Sequence, residues 1–76
     1  MDKIIEILKS IRDNIDYDTE DQLVDGGLFD SFDIVGLVSE LRAEYDIEIP
    51  IEDMTPENFN SAEAIYNLVE RILDED

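Results

Sequence analysis

Ser31 is the residue of this 76-residue sequence whose type and position best suit covalent chemistry. It lies in "GGLFDSFDIVGLV", residues 26–38, with Asp30 before it and Asp33 shortly after it, ahead of apolar residues at helical spacing. The first backbone N–H groups of a helix lie at the positive end of its dipole, so a phosphate ester on Ser31 would be favoured there, although the two aspartates partly oppose it. The plainer interpretation is that Ser31 only caps the helix.

Several kinds of site are excluded by residues that the sequence lacks. It contains no histidine and no cysteine, which removes the imidazole base of a Ser-His-Asp triad and any thiolate nucleophile. The acidic stretch 16–27 lacks the glycine and the glutamate that a calcium loop needs, so it predicts no dedicated metal site. Gly26 and Gly27 lack the lysine of a phosphate-binding loop and indicate a turn instead.

Negative charge is the strongest global property of the chain. It has 22 acidic residues against 5 basic ones, a formal net charge of -17, and no basic residue between Arg12 and Arg42. Direct binding of nucleic acid is not expected, because phosphate backbones are bound by lysine and arginine. Basic protein surfaces are the expected partners, attracted at long range and released by salt. Since 43% of the residues are hydrophobic and periodically spaced, the acidity does not indicate disorder.

The sequence contains no recognisable targeting segment. Its first residues, "MDKIIEILKSIRDN", alternate charged and apolar side chains without a small-residue cleavage site, and no stretch reaches membrane-spanning length. We therefore expect a soluble cytoplasmic protein without membrane insertion, and a monomer.

Apolar spacing predicts a single domain over residues 1–76, built from three amphipathic helices and one short helix. The first helix runs from about residue 2 to about residue 14 with Asp2 as its N-cap, and the second runs from Ser31 to Tyr45. A long loop joins them, and loops of this length tend to be functional. Its apolar anchors are Leu23, Leu28 and Phe29.

The second half of the chain is also predicted to be helical. "IEIPIED" alternates like a strand, but it has no partner strand and a proline interrupts it, so we expect an extended connection with Ile47 and Ile49 in the core. In "TPENF", Thr55 caps a short helix that begins at the proline. Ser61 caps the last helix, and the tail "DED" frays. The core stripe of that helix is Ile65, Leu68, Val69, Ile72 and Leu73.

The second helix carries apolar residues on more than one face. Its core stripe is Ile34, Leu37, Val38, Leu41 and Tyr45. Phe32 and Val35 lie off that stripe, which predicts an exposed apolar strip beside Ser31, typical of a docking surface. The alternative is that Phe32 folds over Leu28 and Phe29.

The stretch "LFDSFDIVGLVSELRAEYDIEIP" resembles the acyl carrier proteins, and the resemblance extends along nearly the whole chain. It comprises an Asp-Ser-Leu-type attachment motif, its helix, and an acidic, apolar run into a proline. The resemblance implies an all-α, antiparallel four-helix bundle with a short third helix and a long first loop. It also implies that a phosphopantetheinyl transferase attaches 4'-phosphopantetheine from coenzyme A to Ser31, and that acyl groups ride as thioesters on the thiol of that arm. Such a protein is not an enzyme, since it needs no catalytic residues of its own.

The resemblance further implies a docking surface for the enzymes that load the arm or use its cargo, namely ligases or synthases with basic surfaces. Acidic side chains would meet those basic surfaces, while apolar ones would supply the hydrophobic contact. The acidic positions are Asp30, Asp33, Glu40 and Glu44. The apolar positions are Phe32 and Val35.

The cargo is open at this point, with a fatty-acyl or specialised acyl chain as the first hypothesis. Phe32 stands where fatty-acid carriers usually have leucine. Asp-Ser-Phe after a leucine-rich approach also resembles the D-alanyl carriers of cell-wall teichoic acid modification, so a D-alanyl or other aminoacyl cargo is the second hypothesis. Gly36 replaces an often acidic position and Arg42 adds a positive charge, and both would weaken docking to fatty-acid synthase enzymes. The hypothesis from outside the carrier class is an unmodified acidic interaction module, with Ser31 only as a cap.

Overall fold

The fold is a small antiparallel bundle of four α-helices, seen in a computed structural model that describes residues 2–75. Helices α1 (Asp2–Ile11), α2 (Ser31–Tyr45) and α4 (Ala62–Glu75) are long, whereas α3 (Pro56–Phe59) is a single turn preceded by a 3₁₀ turn (Ile51–Asp53). Helix α1 packs against both α2 and α4, and α3 packs against α4. All regular structure within residues 2–75 is helical, as the apolar spacing predicted.

One core joins the apolar stripes of the three long helices. Helix α2 buries Leu37, Val38 and Leu41, and the ends of its predicted stripe are partly buried against the same core. In α4 the predicted stripe is confirmed except at Leu73, which is 40% exposed on the last turn. Removal of this apolar surface from water is the main stabilising term, at roughly 25 cal/mol per Å².

Helix α1 ends at Ile11, earlier than the predicted boundary near residue 14, because the side chain of Tyr17 binds the backbone at the end of the helix. The hydroxyl of Tyr17 donates to the carbonyl oxygens of Leu8 and Arg12. The Leu8 oxygen also accepts the Arg12 N–H at 2.9 Å, so the Arg12 oxygen is the acceptor that a longer helix would otherwise use. The Tyr17 ring is 4% exposed and meets Phe29 edge-on at a centroid distance of 6.3 Å. Asp2 lies within the first turn of α1, and the residue before it is outside the described residues.

The loop from α1 to α2 is held at its centre by Asn60. The backbone N–H of Leu23 donates to the Asn60 carbonyl oxygen at 2.9 Å, and the N–H groups of Val24 and Asp25 both donate to Asn60 Oδ1 at 3.0 Å. Asn60 Nδ2 donates in turn to Asp25 Oδ2 at 2.9 Å. This one side chain therefore fixes the path of the loop shortly before Ser31.

Two of the three predicted loop anchors are confirmed. Leu23 and Phe29 are buried, but Leu28 is 38% exposed, so its prediction as an apolar anchor is wrong. The turn between these anchors needs its glycines. Gly27 has φ +78°, and a Cβ on Gly26 would lie 2.5 Å from the Gln22 carbonyl oxygen.

The connection from α2 to α4 follows the prediction closely. Ile47 and Ile49 are 5% and 6% exposed and pack into the core. Thr55 occupies the cap position of α3, but its side chain makes no capping hydrogen bond there. Ser61 does cap α4, since its Oγ accepts the Ala64 N–H at 3.0 Å. Helix α4 continues to Glu75, and the rest of the predicted frayed tail lies outside the described residues.

Candidate functional site

Ser31 is the first residue of α2, and Asp30 rather than Ser31 caps that helix. Asp30 Oδ1 accepts the Asp33 N–H at 2.9 Å, and Asp33 Oδ2 accepts the Asp30 N–H at 3.3 Å, which together form a reciprocal capping box. The interpretation of Ser31 as the cap is therefore wrong. Because an aspartate does the capping, the exposed Ser31 hydroxyl is not needed to hold the helix start.

Arg12 links the end of α1 to this helix start. Its Nη2 lies 2.9 Å from Asp33 Oδ2, and its Nε donates to the same oxygen at 3.0 Å. The Asp33 side chain is only 12% exposed, so the ion pair is partly shielded from water. Arg12 thus neutralises one of the two aspartates that would oppose a phosphate at Ser31.

A groove of about 350 Å³, called here the Ser31 groove, opens beside the serine. One wall is formed by α2 and the other by the segment from Met54 to Phe59, with the loop residue Val24 at one side. Apolar side chains dominate it, including Phe29, Ile34, Val35 and Pro56. A flexible group attached to Ser31 could therefore lie against apolar surface instead of extending into water.

The predicted apolar strip is exposed, as its spacing indicated. Phe32 is 83% exposed and Val35 is 68% exposed, so the alternative in which Phe32 folds over the loop is wrong. Two further exposed apolar residues were not indicated by the sequence. Met54 is 41% exposed and lines a groove together with Val35, and Ile51 is 84% exposed in the turn before it. Their segment shows no helical periodicity, and the only signal available was apolar residues close to Pro50.

The four predicted acidic docking residues differ in how free their charges are. Asp30 and Asp33 are engaged in the capping box, and Asp33 also pairs with Arg12. Glu44 lies 2.9 Å from Lys3 Nζ, a hydrogen bond that raises the pKa of that lysine. Glu40 is exposed on α2. The structure thus places all four carboxylates on or beside α2, with Glu44 and Asp33 internally paired.

Two other features, a metal site and a membrane-spanning helix, can be checked in the described part of the chain. Residues 2–75 contain no cluster of side chains that could hold a metal ion. None of the helices in that range is both long and apolar enough to cross a membrane.

These features define a class of protein: a small helical bundle that presents an exposed serine at a helix start, beside an apolar groove. A phosphate ester fits that serine, because the helix start favours negative charge and Arg12 has already neutralised Asp33. The family model described as "phosphopantetheine attachment site" matches residues 2–74. The chain belongs to this family and is a carrier protein, whose cofactor is 4'-phosphopantetheine.

Curated relatives carry the comparison further. The chain is 38% identical over 71 residues to aminoacyl carrier protein 1 of Bradyrhizobium diazoefficiens, and the matched region covers 88% of this chain and 78% of that protein. It is 31% identical over 71 residues to aminoacyl carrier protein 2 of the same organism, covering 88% and 79%. The D-alanyl carrier protein of Staphylococcus xylosus is 27% identical over 73 residues, with 93% and 94% covered.

Proposed function

We propose that Ser31 carries the 4'-phosphopantetheine arm and that the bundle is one carrier domain. The observation that supports this most directly is the exposed hydroxyl at the first residue of α2, next to the Ser31 groove. In the attachment step Ser31 Oγ attacks the phosphorus that bears the pantetheine in coenzyme A, and the pyrophosphate P–O bond breaks. Adenosine 3',5'-bisphosphate leaves and the serine proton passes to the transferase. The arm then supplies a thiol to a chain that has no cysteine.

We propose further that the cargo is an amino acid rather than a fatty acid. The names of the relatives support this, since they are aminoacyl and D-alanyl carrier proteins. Arg42 and Gly36 support it as well, because neither suits a surface built to dock fatty-acid synthase enzymes. A ligase would load the amino acid onto the arm. We place the protein in the cytoplasm, where coenzyme A and the transferase would modify it.

The docking surface of the proposed carrier is the exposed apolar strip together with the acidic residues around it. Phe32 and Val35 would enter apolar hollows on partner enzymes, and Ile51 and Met54 would extend that contact. Asp30, Asp33, Glu40 and Glu44 would face basic side chains of the transferase and of the loading ligase. Since Asp33 and Glu44 already have internal partners, we expect the apolar contacts to contribute most of the affinity.

Attachment is tested by intact-mass spectrometry after incubation of the protein with coenzyme A and a broad-specificity phosphopantetheinyl transferase. We expect one phosphopantetheinyl group on the wild-type protein and none on Ser31→Ala. Ser39→Ala is the matched control, because it removes an exposed serine hydroxyl from the same helix and should still be modified. An adduct that survives Ser31→Ala would refute the assignment.

Cargo class is tested with the modified protein, ATP and purified ligases. An amino-acid ligase, supplied with each amino acid in turn, and a fatty-acid ligase that act on carrier proteins are tested in parallel, and loading is followed by intact mass. We expect loading from the amino-acid ligase. Loading only from the fatty-acid ligase would restore the fatty-acyl hypothesis and leave the attachment at Ser31 unaffected.

A further inference from the structure

Arg42 lies on the same face of α2 as Ser31. The residues Ser31, Val35, Val38 and Arg42 are spaced four, three and four positions apart, which is the spacing of one helix face. Arg42 therefore lies on the same side of α2 as Ser31, near the opposite end of the helix. It is a cation in a very acidic chain, and neither attachment at Ser31 nor docking through acidic side chains uses it.

The Ser31 groove continues along α2 to Arg42. A second groove of about 340 Å³ lies next along the helix and shares Ile34, Val35 and Met54 with the first. Its other lining residues are Val38, Ser39 and Arg42, so Arg42 is the one charged side chain that lines it within the described residues. The two grooves form one apolar channel with Ser31 at one end and a guanidinium at the other.

The length of this channel matches the arm. At about 1.5 Å per residue, the helix rises about 16 Å from Ser31 to Arg42. The arm has about thirteen bonds from phosphorus to sulfur, which span roughly 15 Å if an extended chain advances about 3.5 Å for every three bonds. Cargo on an arm that lies in the channel would therefore be placed beside Arg42.

Among the ion pairs in the described residues, the one formed by Arg42 is the most exposed to solvent. Its Nη2 lies 3.2 Å from Glu48 Oε1, and the Glu48 side chain is 86% exposed. The carboxylates paired with Arg12 and Arg71 are only 12% and 21% exposed. An exposed pair is weak and easily exchanged, so Arg42 can accept another carboxylate more readily than either of the other arginines.

We propose that Arg42 determines cargo specificity by binding a carboxylate on the amino acid, so that the carried amino acid has an acidic side chain. The proposal rests on the proposed aminoacyl function. A thioester-linked acidic amino acid carries an α-ammonium and a side-chain carboxylate. The Arg42 guanidinium can face the side-chain carboxylate of the cargo. The carboxylates of Glu48 and Asp46, which line the adjoining hollow together with Arg42, can face its α-ammonium group.

The test loads Ser31 with a chosen cargo, so that no ligase is needed. Coenzyme A analogues with an L-glutamyl or L-glutaminyl group on a stable amide, labelled with ¹³C at the side-chain carbonyl, are attached by the transferase. NMR then gives the pKa of the glutamyl side-chain carboxyl. We expect this pKa to be about 0.5 to 1 unit lower in the wild-type protein than in Arg42→Gln, because an adjacent opposite charge favours the ionised form.

Arg71→Gln is the matched control. Arg71 is 50% exposed against 54% for Arg42, and its removal changes the net charge by the same amount, but it lines neither groove. The glutamyl pKa in Arg71→Gln should equal that of the wild-type protein. The Nε–H resonance of Arg42 should also shift with the glutamyl cargo and stay unchanged with the glutaminyl cargo.

The outcomes separate the two proposals. Absence of the adduct mass would refute attachment at Ser31 and, with it, the proposed function. A complete adduct whose glutamyl pKa is the same in wild-type protein and Arg42→Gln would overturn only the role of Arg42. Equal shifts of the Arg42 resonance with both cargoes would mean contact with the arm, which also overturns the specificity proposal.

Discussion

Tyr17 holds the end of α1 and the start of the long loop together through a single buried hydroxyl. That hydroxyl donates to two backbone carbonyl oxygens, and its ring fills the core against Phe29. Burial raises the pKa of Tyr17 to about 12, from 10.0 for a free tyrosine. Ionisation would place a charge inside the core and remove the hydroxyl proton that both carbonyl oxygens accept, so the fold should depend on the neutral form.

At the residue scale we predict a loss of stability in alkali that depends on Tyr17. Because the folded pKa lies above the unfolded one, the contribution is fully present below pH 10.0 and is lost as pH rises towards about 12. The wild-type protein should lose about 2 kcal/mol of unfolding free energy over this range relative to Tyr17→Phe. Urea titrations at each pH measure this difference.

The control for Tyr17 is Tyr66→Phe. The pKa of Tyr66 is raised chiefly by a hydrogen bond to Glu70, and its side chain lies outside the fully buried core. Tyr66→Phe should therefore lose almost as much unfolding free energy in alkali as the wild-type protein does. Parallel stability curves for wild-type protein and Tyr17→Phe would contradict the buried-hydroxyl explanation.

Helix α2 combines a core face, a groove face and an exposed apolar strip, with Gly36 near its middle. A Cβ on Gly36 would meet nothing within 4 Å, so packing does not require a glycine there. Glycine in a helix interior costs conformational entropy. Gly36 therefore lowers the stability of the helix that presents Ser31, and the structure offers no packing explanation for it.

At the element scale we predict that Gly36→Ala stabilises the protein. The expected gain is about 1 kcal/mol, the difference between glycine and alanine in a helix interior. This corresponds to a rise in Tm of roughly 4–8 °C for a domain of this size, measured by circular dichroism. Gly27→Ala is the matched control and should destabilise, since Gly27 has φ +78°. A Tm for Gly36→Ala at or below the wild-type value would contradict the prediction.

The elements differ in how far the sequence could predict them, for physical reasons. Helix α2 was predicted with its observed bounds, because a long periodic stripe leaves little choice of register. Ser31 was considered as the cap instead of Asp30, since both residue types cap well. The structure decides between them, because the Asp33 N–H donates to Asp30 Oδ1 and the Asp30 N–H donates to Asp33 Oδ2. The end of α1 depends on Tyr17, several residues away, and no local pattern indicates that contact.

The site could be predicted only where it follows from one helix. The position of Ser31 at the start of α2 and the exposure of Phe32 and Val35 depend on spacing within that helix. The ion pair of Arg12 with Asp33 joins two segments of the chain, so it requires the tertiary structure. Met54 follows a turn without periodicity, and its place beside Val35 depends on the tertiary structure.

The whole molecule carries a formal charge of -17 within a radius of gyration of 11.3 Å. Ion pairs engage Lys3, Arg12, Arg42 and Arg71 within the described residues. Most carboxylates therefore have no cation close by, and their mutual repulsion opposes the compact state. At low ionic strength the Debye length is about 30 Å, so every charge acts on every other.

At the scale of the molecule we predict that salt stabilises the fold. Raising NaCl from about 0.01 M to about 1 M shortens the Debye length to about 3 Å and should raise the Tm by roughly 5–10 °C, equivalent to about 1–2 kcal/mol. Thermal melts followed by circular dichroism measure this. MgCl₂ at matched ionic strength is the control for general screening and should give a similar rise. An unchanged midpoint in NaCl would show that the repulsion is already relieved.

The side chain of Asn60 has a consequence for chemical ageing. Its amide accepts two backbone N–H groups of the loop through Oδ1 and donates to the Asp25 carboxylate through Nδ2. Asparagine is among the thermolabile residues, and loss of its amide nitrogen leaves a carboxylate. That carboxylate could still accept the two N–H groups, but it would face the Asp25 carboxylate with like charge in place of a hydrogen bond, which weakens the attachment of the loop to the end of α3. The storage life of the folded carrier thus depends on this amide nitrogen, which makes the contact with Asp25 a hydrogen bond instead of a repulsion.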